Sequence, residues 1–344
     1  MKQLQSTSER SDESDIKHRA ERNRTLQLSL SEKRRLRGRL IEDGPNQSYL
    51  DPPCGTILGD CLSVARRLPK GFVDLLILDP PYNLTKDFHG NKFSKRAVDD
   101  YSRWLDGVVR NFKPLLNRNA SIYICGEWLS SVSIYKVAAT HFTVRNRITW
   151  EREKGRGALK NWKNASEDIW FCTVSDTYTF NVDAVKLRRK VMAPYKNGDG
   201  TPKDWEATSG GGFRDTYPSN LWTDLTVPFW SMPENTDHPT QKSEKLLAKL
   251  ILASSNKNDF VFDPFLGSGT SSVVAKKLAR RYLGIDQNED YCLLAERRLE
   301  LADTDQEIQG LSDGVFWERN TLSLQQGESR KLKNDQEQGY LLSF

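Results

Sequence analysis

The chain has 344 residues, a mass of 39.4 kDa and a formal net charge of +5 at neutral pH. This length is enough for one large α/β domain or two moderate ones with a substantial buried core. The small basic excess does not by itself identify a polyanionic partner. The longest apolar runs fall far short of the ~20 residues that a membrane helix needs, so no membrane association is expected.

The N-terminal residues contain no apolar segment of the kind found in secretion signals, so the expected location is the cytoplasm. The cysteines are scattered and form no CxxC pair, so neither a disulfide framework nor a metal site is expected. They are Cys54, Cys61, Cys125, Cys172 and Cys292.

Residues 1–47 are polar and charged, which predicts a mobile N-terminal extension. Ser29 followed by Glu32 fits a capping box at the start of one short helix within it. Two interpretations of this segment stay open. A solvated tail is favoured by composition over a basic arm that touches nucleic acid.

Residues 48–184 alternate between predicted strands and helices, which indicates a mostly parallel sheet covered by helices on both faces. The apolar run from Val73 to Leu78 has no polar alternation and predicts a strand buried on both faces. Asp79 follows directly, at the edge where open parallel sheets bind ligands. The other elements predicted here are an amphipathic helix from Tyr101 to Phe112 and strands at 120–126, 146–152 and 166–173.

Residues 185–237 break this rhythm with glycine-rich, basic and aromatic stretches, so they are interpreted as a loop-rich insertion. The periodic pattern returns in residues 238–302, which contain a strand and helix at 260–279 and a last helix near 288–302. Residues 303–344 are polar and are interpreted as a C-terminal tail.

Gly267 and Gly269 separate a short apolar strand from a helical segment that begins at Thr270. Such a turn lets a ligand approach the backbone, although GxG turns also arise for packing reasons. Asp286 ends the next strand about twenty residues later, where an acidic side chain can accept hydrogen bonds from both ribose hydroxyls. No lysine follows the glycines as in a phosphate-binding loop, so the pattern favours a nucleoside cofactor without phosphates.

Two weaker signals flank these motifs. Asp60 follows a short strand, and His238, Thr240 and Lys242 stand at the predicted start of a helix. Either group can be a plain helix cap, and for each alone that interpretation is favoured. Their presence around Asp79 and the glycine turn favours a shared site.

Together these stretches resemble the permuted, β-class DNA amino-methyltransferases of restriction systems. The matching motifs are GDCL at 59–62, DPPYN at 79–83, HPTQK at 238–242 and FDPFLGSGT at 262–270. As in that family, the catalytic tetrapeptide precedes the cofactor motif, with a variable target-recognition segment between them. The resemblance covers residues 56–301. It implies a Rossmann-like, seven-stranded, mostly parallel sheet with one antiparallel strand and a circularly permuted motif order.

The resemblance also implies S-adenosylmethionine as cofactor and assigns its site residue by residue. The methionine part would be lined by Asp263, Phe265, Gly267, Ser268 and Gly269. The cofactor carboxylate would meet Thr240 and Lys242, the ribose Asp286, and the adenine amino group Asp60. Cys61 and Thr270 belong to the same motifs and complete the predicted site.

The tetrapeptide Asp79, Pro80, Pro81 and Tyr82 is interpreted as the catalytic element. An exocyclic amine on a nucleobase is a poor nucleophile because its lone pair is delocalised into the ring. The Asp79 carboxylate and the Pro80 carbonyl can each accept one of its N–H bonds, while the prolines hold the turn rigid. Tyr82 offers a face on which a base can stack once it has been swung out of the duplex.

The resemblance implies methylation of adenine N6 in a short double-stranded DNA sequence, because members acting on cytosine more often begin the tetrapeptide with serine. Cytosine N4 methylation is the runner-up. A protein-amide methyltransferase is less favoured because of Asp79 and the motif order. A non-catalytic DNA-binding regulator is less favoured because Tyr82, Gly267 and Gly269 are intact.

Target recognition is predicted in the insertion and in the basic stretch before it. In that stretch the cations surrounding Trp162 are Arg152, Lys154, Arg156, Lys160 and Lys163. For each single residue a solvated basic loop is an equal alternative. The implied partners are double-stranded DNA and, functionally rather than physically, a cognate restriction endonuclease. Relatives are often dimeric, and the sequence leaves a homodimer open.

Overall fold

The computed structural model of the chain describes residues 20–44, 48–88, 91–152, 160–191, 195–208 and 211–321. The helices are α1 (Leu30–Arg37), α2 (Cys61–Ala65), α3 (Val98–Phe112), α4 (Ser131–His141), α5 (Glu244–Ser254), α6 (Thr270–Lys277) and α7 (Glu289–Leu301). The strands are β1 (Gly55–Leu58), β2 (Val73–Leu78), β3 (Lys86–Phe88), β4 (Asn91–Phe93), β5 (Leu116–Gly126), β6 (Thr143–Glu151), β7 (Ser166–Thr173), β8 (Leu187–Lys190), β9 (Glu206–Thr208), β10 (Gly211–Thr216), β11 (Leu221–Trp222), β12 (Phe260–Asp263), β13 (Arg281–Asp286), β14 (Leu311–Ser312) and β15 (Val315–Trp317). Within the described part of the chain, no helix has the length and apolar character needed to span a bilayer.

The central sheet has the strand order β1-β13-β12-β2-β5-β7-β6-β11. Its neighbours run parallel except at β7, which is antiparallel to both β5 and β6. The first seven strands in this order, which end at β6, confirm the expected mostly parallel sheet with one antiparallel strand. The two-residue β11 adds a short edge strand that the resemblance did not imply.

Strand β12 lies far from β2 in sequence but beside it in the sheet, with Val261 paired to Leu75 and Phe262 to Leu76. Because the two strands are parallel, their carboxyl ends emerge at the same edge. The turn after β2 therefore lies next to the turn after β12. A late strand in this central place is consistent with the permuted motif order.

Strand β2 is buried on both faces, as its apolar residues from Leu75 to Leu78 predict. Leu76 and Leu78 belong to one core cluster, which also contains the apolar side chains of α3. Leu75 and Ile77 belong to a second cluster, which contains the apolar side chains of α5. Burying one such side chain stabilises the fold by about 1.5–3 kcal/mol, so this strand has a strong preference for the centre of the sheet.

Helix α1 packs against α7. Ser29 and Glu32 form the predicted capping box, with the Glu32 N–H 3.2 Å from Ser29 Oγ and the Ser29 N–H 2.9 Å from Glu32 Oε2. Basic side chains in and just after α1 pair with acidic side chains of α7. These pairs are Lys33–Asp290, Arg35–Glu300, Arg37–Glu289 and Arg39–Glu296. Residues 20–44 therefore differ from the predicted mobile extension, whose residues 1–19 and 45–47 lie outside the described ranges.

A second sheet has the strand order β14-β15-β8-β10-β9. Strand β10 is antiparallel to β8 and β9 within the predicted insertion, and β15 adds to β8 in parallel. The insertion is thus partly a sheet, and the first part of the predicted polar tail completes it. These strands are too short for a period of two to show in the sequence. Residues 322–344 of that tail lie outside the described ranges.

The helix after His238 begins later than the sequence predicted. Its first residue is Glu244, because Ser243 caps it by accepting the Leu246 N–H at 3.3 Å. Residues 238–242 form a turn before the helix. Pro239 therefore belongs to this turn and not to the first turn of the helix.

The second sheet makes the C-terminal strand β15 part of the folded unit, and this is testable. Trp317 is 0% exposed, so Trp317→Ala should lower the free energy of unfolding by about 3–5 kcal/mol in a chemical denaturation experiment. The control Trp162→Ala, at a side chain 95% exposed, should change it by less than about 0.5 kcal/mol. Equal, small effects of the two substitutions would contradict the packing of β15.

Candidate active site

One cleft of about 480 Å³ opens at the carboxyl edge of β1, β2, β12 and β13. The predicted site residues that line it are Asp60, Cys61, Asp79, Pro80, Pro81, Tyr82, Thr240, Lys242, Phe265, Gly267 and Asp286. A smaller cavity of about 40 Å³ shares Asp79 and Lys242 with it and is also lined by Asp263, Ser268 and Thr270. Gly269 lies behind the turn, as the N-cap of α6. The structure thus brings the two predicted motif turns together.

Two donors hold the Asp79 carboxylate. The Lys242 ammonium donates to Oδ2 at 2.7 Å, and the Tyr82 hydroxyl donates to Oδ1 at 2.9 Å. Lys242 also donates to the Tyr82 oxygen at 3.0 Å. Burial opposes the charge on Lys242, but the Asp79 and Glu167 carboxylates outweigh it and raise the pKa of this ammonium. Lys242 therefore stays charged, and in this structure its contact is with Asp79.

Glu167 is a site residue that the motifs do not reveal. It lies on β7 with only 4% of its surface exposed, and its Oε2 accepts the Tyr82 hydroxyl at 3.1 Å. Its other carboxylate oxygen accepts from Arg152 at 2.5 Å, and Lys242 Nζ lies 3.5 Å from Oε2. The Asp79 and Glu167 anions are thereby balanced by two cations. In the sequence it is one of two adjacent acidic residues, with Asp168, at the start of a mostly apolar strand, and neither belongs to a motif.

Hydrogen bonds fix the backbone of the DPPY turn. The Tyr101 hydroxyl donates to the Pro81 carbonyl at 3.0 Å. The buried Asn83 side chain donates to the Arg96 carbonyl at 2.9 Å and accepts the Arg96 N–H at 2.7 Å. Together with the two prolines, these contacts hold the turn in one conformation before any ligand arrives.

The glycine turn needs residues without a Cβ at two positions. Gly267 and Gly269 have φ angles of +53° and +81°, in the left-handed region that favours glycine. A Cβ on Gly269 would lie 2.4 Å from the Ala295 Cβ in α7, so packing explains this glycine. A Cβ on Gly267 would lie 2.9 Å from His238 Nε2 at the wall of the cleft. The packing interpretation therefore covers Gly269, whereas Gly267 faces the cleft.

Two carboxylates end strands β12 and β13. Asp263 accepts the Phe265 N–H at 3.0 Å and the Ser271 hydroxyl at 2.5 Å, and burial raises its pKa to about 7. Asp286 accepts the Gly267 N–H at 2.9 Å, and burial raises its pKa as well. Both carboxylates therefore brace the glycine turn from within the site.

Asp60 has two roles that the structure shows directly. Its Oδ1 accepts the Ser63 N–H at 2.8 Å and so caps α2, which is the plain interpretation of this residue. Its Oδ2 accepts the Gln287 amide at 2.7 Å, at the mouth of the cleft. The same side chain is therefore both a helix cap and part of the cleft lining.

The residues of the cleft fit S-adenosylmethionine. A volume of about 480 Å³ lies within the range of sites for ligands of this size. Asp286 and Asp60 present acceptors at one end, which suits the hydroxyls and amino group of an adenosine. The Asp263 carboxyl lines the adjoining smaller cavity, where its ionised form favours a cationic sulfonium.

The basic stretch predicted to contact DNA divides between the cleft and the surface. Arg152 turns into the cleft and pairs with Glu167. Lys160, Trp162 and Lys163 are exposed. Lys154 and Arg156 lie outside the described residues. Of this stretch, the side chain of Arg152 therefore belongs to the candidate active site.

Comparison with known proteins gives the family. A profile described as DNA methylase matches residues 73–297. The chain is 34% identical over 254 residues to the DNA adenine methyltransferase YhdJ of Escherichia coli K12. The aligned region covers 72% of this chain and 82% of that protein. The chain belongs to the DNA methylase family. It is also 32% identical over 250 residues to the Type II methyltransferase M.HpaI of Haemophilus parainfluenzae, covering 71% of this chain and 73% of that protein.

Solved structures agree with this DNA methylase in fold. The cytosine-N4-specific PvuII DNA methyltransferase matches with a TM-score of 0.52 and 14% identity, over 74% of this chain and 93% of that one. The crystal structure of the M1.HpyAVI–SAM complex matches with a TM-score of 0.50 and 23% identity, over 71% and 98%. At these identities the likeness establishes the fold.

The glycine turn of the DNA methylase yields a stability test. Gly269→Ala should lower the free energy of unfolding by about 1–3 kcal/mol, because the new methyl group overlaps Ala295 and the backbone is left-handed. The matched control is Gly107→Ala in α3, where a Cβ meets nothing within 4 Å. It should be neutral or stabilising by up to about 1 kcal/mol in the same urea titration. A Gly269 variant as stable as the control would contradict this packing.

Proposed function

We propose that this DNA methylase transfers a methyl group from S-adenosylmethionine to the exocyclic N6 amine of adenine in a short double-stranded DNA sequence. The observation that carries the proposal is the single cleft in which the Asp79 carboxylate and the Gly267 turn meet. An acceptor for an amine and a niche for a nucleoside cofactor are both needed, and both are present in that cleft.

The hydrogen-bond acceptors of the DPPY turn activate the amine. The Asp79 carboxylate and the Pro80 carbonyl, held by a rigid turn, accept the N–H bonds and return electron density to nitrogen. The carboxylate has lone pairs left for this contact beside those used by Lys242 and Tyr82. Because the turn is fixed beforehand, little reorganisation is required during attack.

The cofactor side orients the donor. When bound, S-adenosylmethionine supplies an electrophilic methyl group on a positively charged sulfur. Phe265 and the Gly267 turn would shape the niche for its methionine part, and Asp286 and Asp60 would accept from its adenosine. Thr240 and Lys242 would reach its carboxylate. Lys242 must share its ammonium between that group and Asp79, which it already contacts.

Adenine is supported over cytosine by two features. The tetrapeptide begins with Asp79 rather than serine, and the relative at 34% identity is a DNA adenine methyltransferase. Cytosine N4 is the second candidate, because both bases present an amine to the same pair of acceptors.

The DNA contact surface is proposed to comprise the exposed Lys160, Trp162 and Lys163 together with the insertion that contains β8 to β11. Cations of this kind contact phosphates and thereby set the register of the protein on the duplex. A homodimer and a cognate restriction endonuclease stay predictions of the resemblance, and a cytoplasmic location stays a prediction from the N-terminal sequence.

Replacement of the acceptor tests the proposal. Asp79→Asn and Asp79→Ala should reduce methyl transfer to DNA by at least ~100-fold, because the anionic acceptor is lost, while cofactor affinity changes little. Incorporation of labelled methyl groups and equilibrium binding of S-adenosylmethionine measure the two effects. The control is Glu151→Gln, which removes an acidic charge at the end of strand β6 and should retain activity.

Two results would contradict the proposal. One is full methyl transfer by either Asp79 variant. The other is wild-type protein that transfers no methyl group to any DNA sequence, read by mass spectrometry of nucleosides from cells that express the chain. The same nucleoside analysis separates N6-methyladenine from N4-methylcytosine.

A further inference from the structure

The phenolic hydrogen of Tyr82 has two competing acceptors. Its oxygen lies 2.9 Å from Asp79 Oδ1 and 3.1 Å from Glu167 Oε2. Lys242 donates to the same oxygen at 3.0 Å, so one lone pair is used and the single hydrogen must point to one carboxylate or the other. The three side chains thus lie in a continuous row at hydrogen-bond distance from Asp79 to Glu167, and the row becomes a complete hydrogen-bonded chain once Asp79 carries a proton.

Resting on the proposed function, we infer that Tyr82 and Glu167 form a proton relay that carries the proton released by the methylated amine away from Asp79. Glu167 does not touch the base. It acts through Tyr82 and Asp79 as a positioning residue that also gives the proton a destination.

The relay balances in atoms and charge. Methyl transfer forms a C–N bond and breaks an S–C bond, which leaves one proton too many on the amine nitrogen. That N–H bond breaks as an O–H bond forms on Asp79. Asp79 then passes its proton from Oδ1 to the Tyr82 oxygen, while the phenolic hydrogen moves to Glu167 Oε2. Tyr82 ends with one hydrogen, as it began, and Glu167 holds the proton until solvent removes it.

The surroundings of the relay suit a phenol that passes a proton on and stays neutral. Burial, with the Asp79 and Glu167 carboxylates nearby, raises the pKa of Tyr82 well above its usual range, so the phenol transmits a proton without itself becoming an anion. Arg152 donates to the other oxygen of Glu167 and is itself partly exposed, so water around Arg152 is the acceptor that finally removes the proton.

The relay is tested with single-turnover methyl transfer in preformed enzyme–cofactor–DNA complexes. Glu167→Gln keeps an acceptor for Tyr82 but does not take up a proton, and Tyr82→Phe keeps the ring but removes the relay oxygen. Each should slow transfer by ~10–100-fold, at the lower end of general acid–base effects. The double variant should be no slower than the slower single variant, because both interrupt one path.

Binding and rescue separate the relay from a structural role. Affinities for S-adenosylmethionine and DNA should stay within about threefold of wild type in both single variants, since the loss falls on the proton-transfer step. Formate should restore part of the rate to Glu167→Ala and none to Tyr82→Phe. The control Glu151→Gln should match wild type throughout. Thermal melting shows whether Glu167→Gln folds. If it does not, the rate of Tyr82→Phe and the formate measurement still test the relay.

The relay is overturned if Glu167→Gln transfers methyl groups within about twofold of wild type, or if the losses in the two single variants multiply in the double variant. Neither result affects the proposed function, because wild-type protein would still methylate DNA. Conversely, wild-type protein that methylates no DNA overturns the proposed function directly.

Discussion

Parallel pairing of β2 with β12 is the constraint on which the site depends. The pairing of Leu75 with Val261 and of Leu76 with Phe262 sets the relative height of two strands that are far apart in the chain. Their turns then meet at one sheet edge, so the acceptor on Asp79 and the glycine turn share a cleft. A shift by one residue would turn every side chain of β2 to the opposite face and move both turns out of alignment.

The buried carboxylates of the site are stabilised by neighbouring cations. Asp79 and Glu167 lie close together, and burying two anions without partners costs several kcal/mol each. Lys242 reaches both carboxylates and Arg152 binds the second, so the formal charges of these four side chains cancel before any ligand arrives.

Much of the fold was predictable because many of its elements depend on residues that are close together in the sequence. The apolar run of β2, the amphipathic α3 and the capping box of α1 depend on neighbours in sequence, and all are confirmed. Glu167 was missed because its partner Tyr82 lies 85 residues away, in the turn that follows β2. The docking of α1 was missed for the same reason, since Arg37 meets its partner Glu289 252 residues later. Strands β14 and β15 were missed because they are stabilised by β8 and are too short to show a period.

The arrangement of strands in the sheet, rather than their order in the chain, sets the neighbourhood of each turn. It also sets the source of the second anion. The antiparallel strand β7 lies beside β5 and brings Glu167 to the same edge as Asp79, although β7 runs in the opposite direction. Glu167 therefore approaches from the beginning of its strand, whereas Asp79 lies just beyond the end of β2. Two carboxylates from strands of opposite direction thus reach one phenol oxygen, which gives Tyr82 two acceptors.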